Sequence, residues 1–162
     1  MSNGAPAYVV DTSALMDWHD RFYPPDVFAS LVGHYDGLIA NGRLVSVELV
    51  QDEVNAMGSQ LLQAWAKSRK TIFDPTVNHL AEALAIESQF PALLDPNAQY
   101  DEADAYVIAL AKLQNAVVVT AETSALQKRK PKRALYIPDV CAALGMTCIN
   151  VLGMMRREGW KL

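Results

Sequence analysis

The feature that most restricts the fold is the run Ala116 to Ala121, AVVVTA, directly behind an alanine-rich segment, Asp101 to Leu113, that is nearly apolar after its first turn. The valine run does not alternate polar with apolar residues, so both of its faces must be covered, as in a central parallel strand. The segment before it reads as a helix apolar all round, and such a helix is buried. Covering both faces of a sheet requires helices on each side.

The rest of the chain supplies them. Ala7 to Val10 reads as a buried first strand followed by a loop at Asp11-Thr12-Ser13. Beyond the turn Tyr23-Pro24-Pro25-Asp26, with Asp26 as the expected N-cap, Val27, Leu31, Tyr35, Leu38 and Ile39 recur at helical spacing until Asn41-Gly42. Arg43 to Val47 is a second β-branched run, and Glu48 to Trp65 is periodic as one helix. Asp74-Pro75 precedes a helix over 76–90, and 91–99 reads as a loop. Ile137-Pro138-Asp139 opens a short helix closed by Gly145, and Thr147 to Val151 forms a last strand before a terminal helix. Strands alternating with helices, joined by connections long enough for parallel pairing, predict a single domain over 1–162 with the α/β fold of a three-layer α/β/α sandwich and a mainly parallel sheet.

Composition excludes several classes. The 162 residues are 51% hydrophobic and 20% charged, enough to bury a core without disulfides. No apolar run approaches the ~20 residues that cross a bilayer, and the start MSNGAPAYVVD lacks the pattern of a signal peptide, so no membrane and a cytoplasmic location are expected. Cys141 and Cys148 have no companion cysteines or histidine cluster and read as reduced thiols. A net charge of −4 argues against coating nucleic acid by bulk electrostatics, yet Lys128, Arg129, Lys130, Lys132 and Arg133 fall within six residues, and Lys67, Arg69 and Lys70 form a second group.

Ligands of open parallel sheets bind beyond the carboxyl ends of the strands. Asp11 closes the first strand, Glu48 and Glu53 follow the second, Asp101 and Asp104 stand three apart at the head of the buried helix, and Glu122 comes two residues after Thr120. Carboxylates packed together resist ionisation unless a cation neutralises them. An all-oxygen ligand set suits Mg²⁺ or Mn²⁺, and such a site suits phosphodiester hydrolysis. No serine or cysteine triad, P-loop or GxGxxG is present.

Val9-Val10-Asp11-Thr12-Ser13, Glu53 within Val47 to Val54, Asp104-Ala105 with Ile108-Ala109 and Ala111, and Val118-Val119-Thr120 with Glu122 together resemble the four-acid pattern of PIN domains over roughly 7–151. Tyr23-Pro24-Pro25-Asp26-Val27-Phe28 and Ile137-Pro138-Asp139-Val140-Cys141 resemble an uncharacterised bacterial and archaeal PIN-like subfamily thought to include toxins of toxin–antitoxin pairs. The resemblance implies an endoribonuclease in which Asp11, Glu53, Asp104 and Glu122 bind metal and catalyse, Ser13 and Thr120 support them, and Asp101 is a fifth, auxiliary acid. Glu48 competes with Glu53 for the second place; family spacing favours Glu53. The fourth acid of the family is more often Asp, so Glu122 reaches further and would meet a cation through water. As partners the resemblance implies RNA, a cognate antitoxin and, by analogy, a second copy of the chain; the basic loop 128–133 is the candidate for holding RNA phosphates, and Trp18, Phe22, Tyr23 and Phe28 are candidates for antitoxin docking, with core packing the expectation for at least two of them. A non-catalytic PIN-like protein-binding module is the alternative. A haloacid dehalogenase-type phosphatase also begins with Asp after the first strand, but wants a second acid two residues on, where this chain has Ser13.

Overall fold

Three short, almost fully buried strands lie side by side at the centre: β1 (Tyr8–Val10), flanked by β2 (Leu44–Val47) and, on its other side, the penultimate strand Val117–Val119. The computed structural model describes residues 6–99 and 101–162. A two-residue strand β3 (Phe73–Asp74) extends the sheet beyond β2; Val117–Val119 is therefore β4, and β5 (Cys148–Ile149) lies outside it. The order is β3-β2-β1-β4-β5 and every neighbouring pair is parallel. Tyr8 stands opposite both Leu44 and Val117, and Val10 opposite Val119, so the first, second and fourth strands end on one edge.

Helices cover both faces. On one side follow α1 (Thr12–Met16), α2 (Ala29–Ala40), α3 (Glu48–Met57) and α4 (Gln60–Ser68); on the other lie α5 (Leu80–Gln89), α6 (Asp104–Gln114) and α7 (Ile137–Ala143). Right-handed crossovers dictate this division, because the chain steps outward from β1 to β3, then returns across the sheet to β4 and β5. The packing of α1 on α3 and α3 on α4, and of α6 on α5 and α7, agrees with it. The last helix, α8 (Val151–Glu158), is capped by Asn150, whose side chain accepts from the Gly153 amide at 2.8 Å. The result is the expected three-layer α/β/α sandwich. α6 is buried without interruption from Ala105 to Ala111, which is why its sequence shows no polar face.

Several local expectations give way. The segment after β1 is no loop. It is α1, continued by a wider turn of helix over Asp17–Phe22, because Ala14, Leu15 and Trp18 bury one face there while the Asp11 carbonyl accepts from the Ala14 and Leu15 amides. Asp26 does not cap α2; the Pro24 carbonyl takes the Val27 and Phe28 amides in a turn, and the helix starts at Ala29. The expected helix 48–65 is two helices. Ser59 Oγ accepts from the Leu62 amide and donates to Asp20 Oδ1 at 2.6 Å, restarting the chain as α4. A 3₁₀ turn, Thr76–Asn78, precedes α5, and another spans Pro91–Leu93 in the expected loop. β3 is too short to carry a period.

Trp18, offered above as a docking residue, is fully buried. It stacks on Tyr35 at 3.8 Å between centroids and meets Trp65 edge-on. Tyr23 and Phe28 pack on each other and against the core, whereas Phe22 is 63% exposed. Cys141 is buried and Cys148 half-buried, both free thiols. No helix among the described residues is long and apolar enough to cross a membrane.

The α3–α4 joint is tight. A Cβ on Gly58 would stand 2.8 Å from the Val54 carbonyl oxygen and 3.1 Å from Leu62 Cδ2. Gly58→Ala is expected to cost about 1–3 kcal/mol by overpacking, read as a lower urea midpoint with unchanged slope.

Candidate functional site

Strand order places the site. The chain leaves β1 towards β2 but enters β4 from the opposite side, so the connections diverge between β1 and β4. Beyond the carboxyl ends of such a pair a crevice opens. Asp11 follows β1 and Thr120 to Glu122 follow β4, one on each side of it. The Asp11 amide donates to the Val119 carbonyl at 2.9 Å, holding the two ends together.

Asp11 is only 3% exposed. Its Oδ2 accepts from Ser13 Oγ at 2.7 Å and from Thr120 Oγ1 at 3.0 Å. Ser13 Oγ in turn accepts from the Ala121 amide, and Thr120 Oγ1 from the Glu122 amide. Ser13 and Thr120 thus both hydrogen-bond the Asp11 carboxylate and tie the acid after β1 to the backbone that carries Glu122. Burial pushes the Asp11 carboxyl above its usual range, against the pull of these two hydroxyls.

Glu53 enters from α3. Its Oε1 accepts from Thr12 Oγ1 and its Oε2 from the Ala103 amide at 3.1 Å, just ahead of α6. Burial raises its pKa, with the charges of Asp11 and Glu102 adding to the effect. Glu48, the competing second acid, is the exposed first residue of α3 and has no part in this network, whereas Glu53 is hydrogen-bonded within it.

Asp104 is the first residue of α6 and Glu122 lies in the loop after β4. Burial lifts Asp104 well above the carboxylate norm, and Glu122 and Asp11 lift it further although Arg133 opposes them. Glu122 is raised by burial and by Asp11, while the Ile137 amide, donating to its Oε1 at 3.1 Å from the head of α7, works the other way. Asp11 therefore acts electrostatically on each of the other three acids, and Glu122 on Asp104. Glu53, Glu102, Asp104, Glu122, Lys132 and Tyr136 are among the side chains that line a cleft of about 260 Å³.

Two expectations are corrected. Asp101 does not share a helical face with Asp104, because α6 begins at Asp104; Asp101 is exposed and borders a neighbouring, more apolar cleft. Its neighbour Glu102 takes the place beside the acids, with Oε2 3.7 Å from Arg133 Nη1, and burial raises it too. The basic loop also divides. Arg129, Lys130 and Lys132 are exposed and Lys128 lies 4.2 Å over the Tyr136 ring, but Arg133 turns inward and is 12% exposed. Arg133 Nη1 donates to Asp104 Oδ2 at 2.9 Å and Nη2 to Glu122 Oε2 at 3.1 Å. Thr12, Glu102 and Tyr136 were missed by sequence reasoning. Thr12 stood in the Asp-Thr-Ser run and could have been found there; Glu102 was hidden by a helix start placed three residues early.

Hard oxygen donors whose charges oppose one another fit a divalent cation such as Mg²⁺ or Mn²⁺. Asp11, Glu53, Asp104 and Glu122 are the residues that would hold it. No group of three or more His, Cys, Asp or Glu among the described residues is arranged to hold a metal ion, and Arg133 hydrogen-bonds two of the four acids.

A carboxyl whose pKa is raised by folding binds its proton more tightly in the folded state. Its contribution to stability is complete below the unfolded value near about 4 and is lost as pH rises through the folded value. The shifts at Asp11, Glu53, Asp104 and Glu122 all have this sign. Asp104→Asn is therefore expected to raise the urea midpoint at neutral pH and to flatten its decline as pH rises above the ordinary carboxylate range, measured on metal-free protein beside the parent.

No curated protein matches the chain. Among solved structures, the crystal structure of PAE2754 from Pyrobaculum aerophilum is similar at 19% identity and a TM-score of 0.39, covering 94% of this chain and 89% of that one. Residues 8–162 match the family described as a domain of unknown function, DUF4411, and the chain belongs to that family.

Proposed function

We propose that the protein is a metal-dependent endoribonuclease that hydrolyses phosphodiester bonds in single-stranded or looped RNA, acting in the cytoplasm as the toxin of a toxin–antitoxin pair. The observation that carries this reading is the meeting of Asp11, Glu53, Asp104 and Glu122 at the crevice between β1 and β4, each pushed towards its protonated form by burial. A folded chain keeps such a destabilising arrangement where function uses it.

When bound, Mg²⁺ or Mn²⁺ supplies an activated water and neutralises charge on the transferring phosphoryl group. The chain's own residues set the frame. Ser13 and Thr120 fix the Asp11 carboxylate, while Thr12 and the Ala103 amide fix both oxygens of Glu53, so neither acid is free to rotate. Lys132 on the cleft wall, with Lys128, Arg129 and Lys130 near it, offers positive charge to the RNA backbone. Phe22, with Tyr23 and Phe28 beside it, is the remaining face for an antitoxin, and a homodimer belongs to the same reading.

A second reading, a non-catalytic PIN-like module that binds a partner protein, draws on Arg133, which already neutralises part of the acid cluster. Cleavage of a labelled structured RNA with Mn²⁺, Mg²⁺ or EDTA separates the two. Cutting is expected only with metal and is expected to fall more than about 100-fold in Asp104→Asn, beyond the usual effect of residues that only orient a metal ligand. Folded protein that cuts nothing under any condition speaks for the binding module.

A further inference from the structure

Arg133 is the one residue of the basic loop whose side chain is spent inside the protein. Besides Asp104 and Glu122, it reaches towards Glu102 and donates from Nη1 to the Leu93 carbonyl. Its guanidinium carbon lies 4.4 Å from the Tyr136 ring centroid, and its backbone amide and that of Lys132 both donate to the Tyr136 hydroxyl. The fork is thus aimed at the acids by its own loop.

Two of the carboxylates it holds are among the four that would hold a divalent cation. Oxygens oriented towards a guanidinium are not free to turn towards a metal, and two positive charges a few ångströms apart in a poorly hydrated cleft repel strongly. The loop is held by few elements of regular structure. Between β4 and α7 its only regular structure is the 3₁₀ turn Ala125–Gln127, and it is held by side-chain bonds such as Asp139 to the Ala125 and Tyr136 amides.

Resting on the metal-site reading above, we infer that Arg133 is an exchangeable internal counter-ion, seated on Asp104 and Glu122 in the metal-free protein and displaced from them when a divalent cation binds. Loading the site and releasing Arg133 are then one event. The freed guanidinium joins the exposed Arg129, Lys130 and Lys132, where it is available to an RNA phosphate. A site that holds its own cation also stays neutralised and folded while no metal is present, and it admits RNA chemistry only once loaded.

The test is Mn²⁺ binding by calorimetry to the parent, Arg133→Gln and Arg133→Lys, with folding checked by circular dichroism. Alongside it, the parent is labelled with phenylglyoxal with and without Mn²⁺, and modification of Arg133 is read by peptide mass spectrometry. Competition predicts Mn²⁺ affinity at least about tenfold higher in Arg133→Gln, an intermediate value in Arg133→Lys, and an Arg133 that resists labelling in EDTA and reacts as Mn²⁺ saturates. Binding by Arg133→Gln alone also sustains the inference. Equal or weaker binding by Arg133→Gln, or labelling indifferent to Mn²⁺, makes Arg133 a fixed structural partner and overturns it while leaving the metal site intact. If neither parent nor variant binds Mn²⁺, the metal-site reading fails and takes the exchange with it. Should Arg133→Gln not fold, labelling of the parent decides.

Discussion

Carboxylates gathered in a cleft of low dielectric must be neutralised, by protons or by a cation, and much of the structure around this cleft answers that requirement. Burial and mutual repulsion push Asp11, Glu53, Asp104 and Glu122 towards protonation, while hydroxyls of Thr12, Ser13 and Thr120 and amides of Ala103 and Ile137 work in the opposite sense. Arg133 contributes a full positive charge, and the three acids around it hold that charge in place. The supply of hydrogen bonds is thus matched by a surplus of negative charge.

The parallel sheet makes this gathering rigid. Register between Tyr8, Leu44 and Val117 brings the ends of β1, β2 and β4 to one edge, so acids distant in sequence are delivered there by paired parallel strands. α6 then passes behind the sheet, buried from Ala105 to Ala111, and its first residue, Asp104, is fixed by the packing of everything that follows. A site built on strand ends and a buried helix start keeps its geometry at no further cost in entropy. The irregular contribution comes from the 120–136 loop, which carries both an acid, Glu122, and the cation that answers it, Arg133.

This division gives the proposed nuclease a simple physical logic. Rigid elements hold three of the four acids; the loop holds the fourth together with the basic residues that would meet RNA. A change in what neutralises the acids is therefore felt first by the loop. Phe22, exposed beyond the wide helical turn that follows α1, lies on the segment leading away from Asp11, so a partner seated there would act on the same connection.

The unalternating valines of β4 and the apolar run of α6 are enough by themselves to require a sheet covered on both faces, and acids at strand ends point to Asp11, Glu48, Glu53, Asp101, Asp104 and Glu122, among which only the resemblance to PIN domains singles out Asp11, Glu53, Asp104 and Glu122. These are local properties: hydrophobic period and position after a strand survive in one dimension. Helix boundaries do not. Gly58 and Ser59 break a periodic run because of contacts with Val54, Leu62 and Asp20, and Asp26 loses its cap to a carbonyl. The same failure exchanged Glu102 for Asp101. Most telling is Arg133, one of five basic residues that look alike in the chain; only the fold decides that Arg129, Lys130 and Lys132 face water while Arg133 faces the acids, because the direction of a side chain on an irregular loop depends on what the rest of the protein places opposite it.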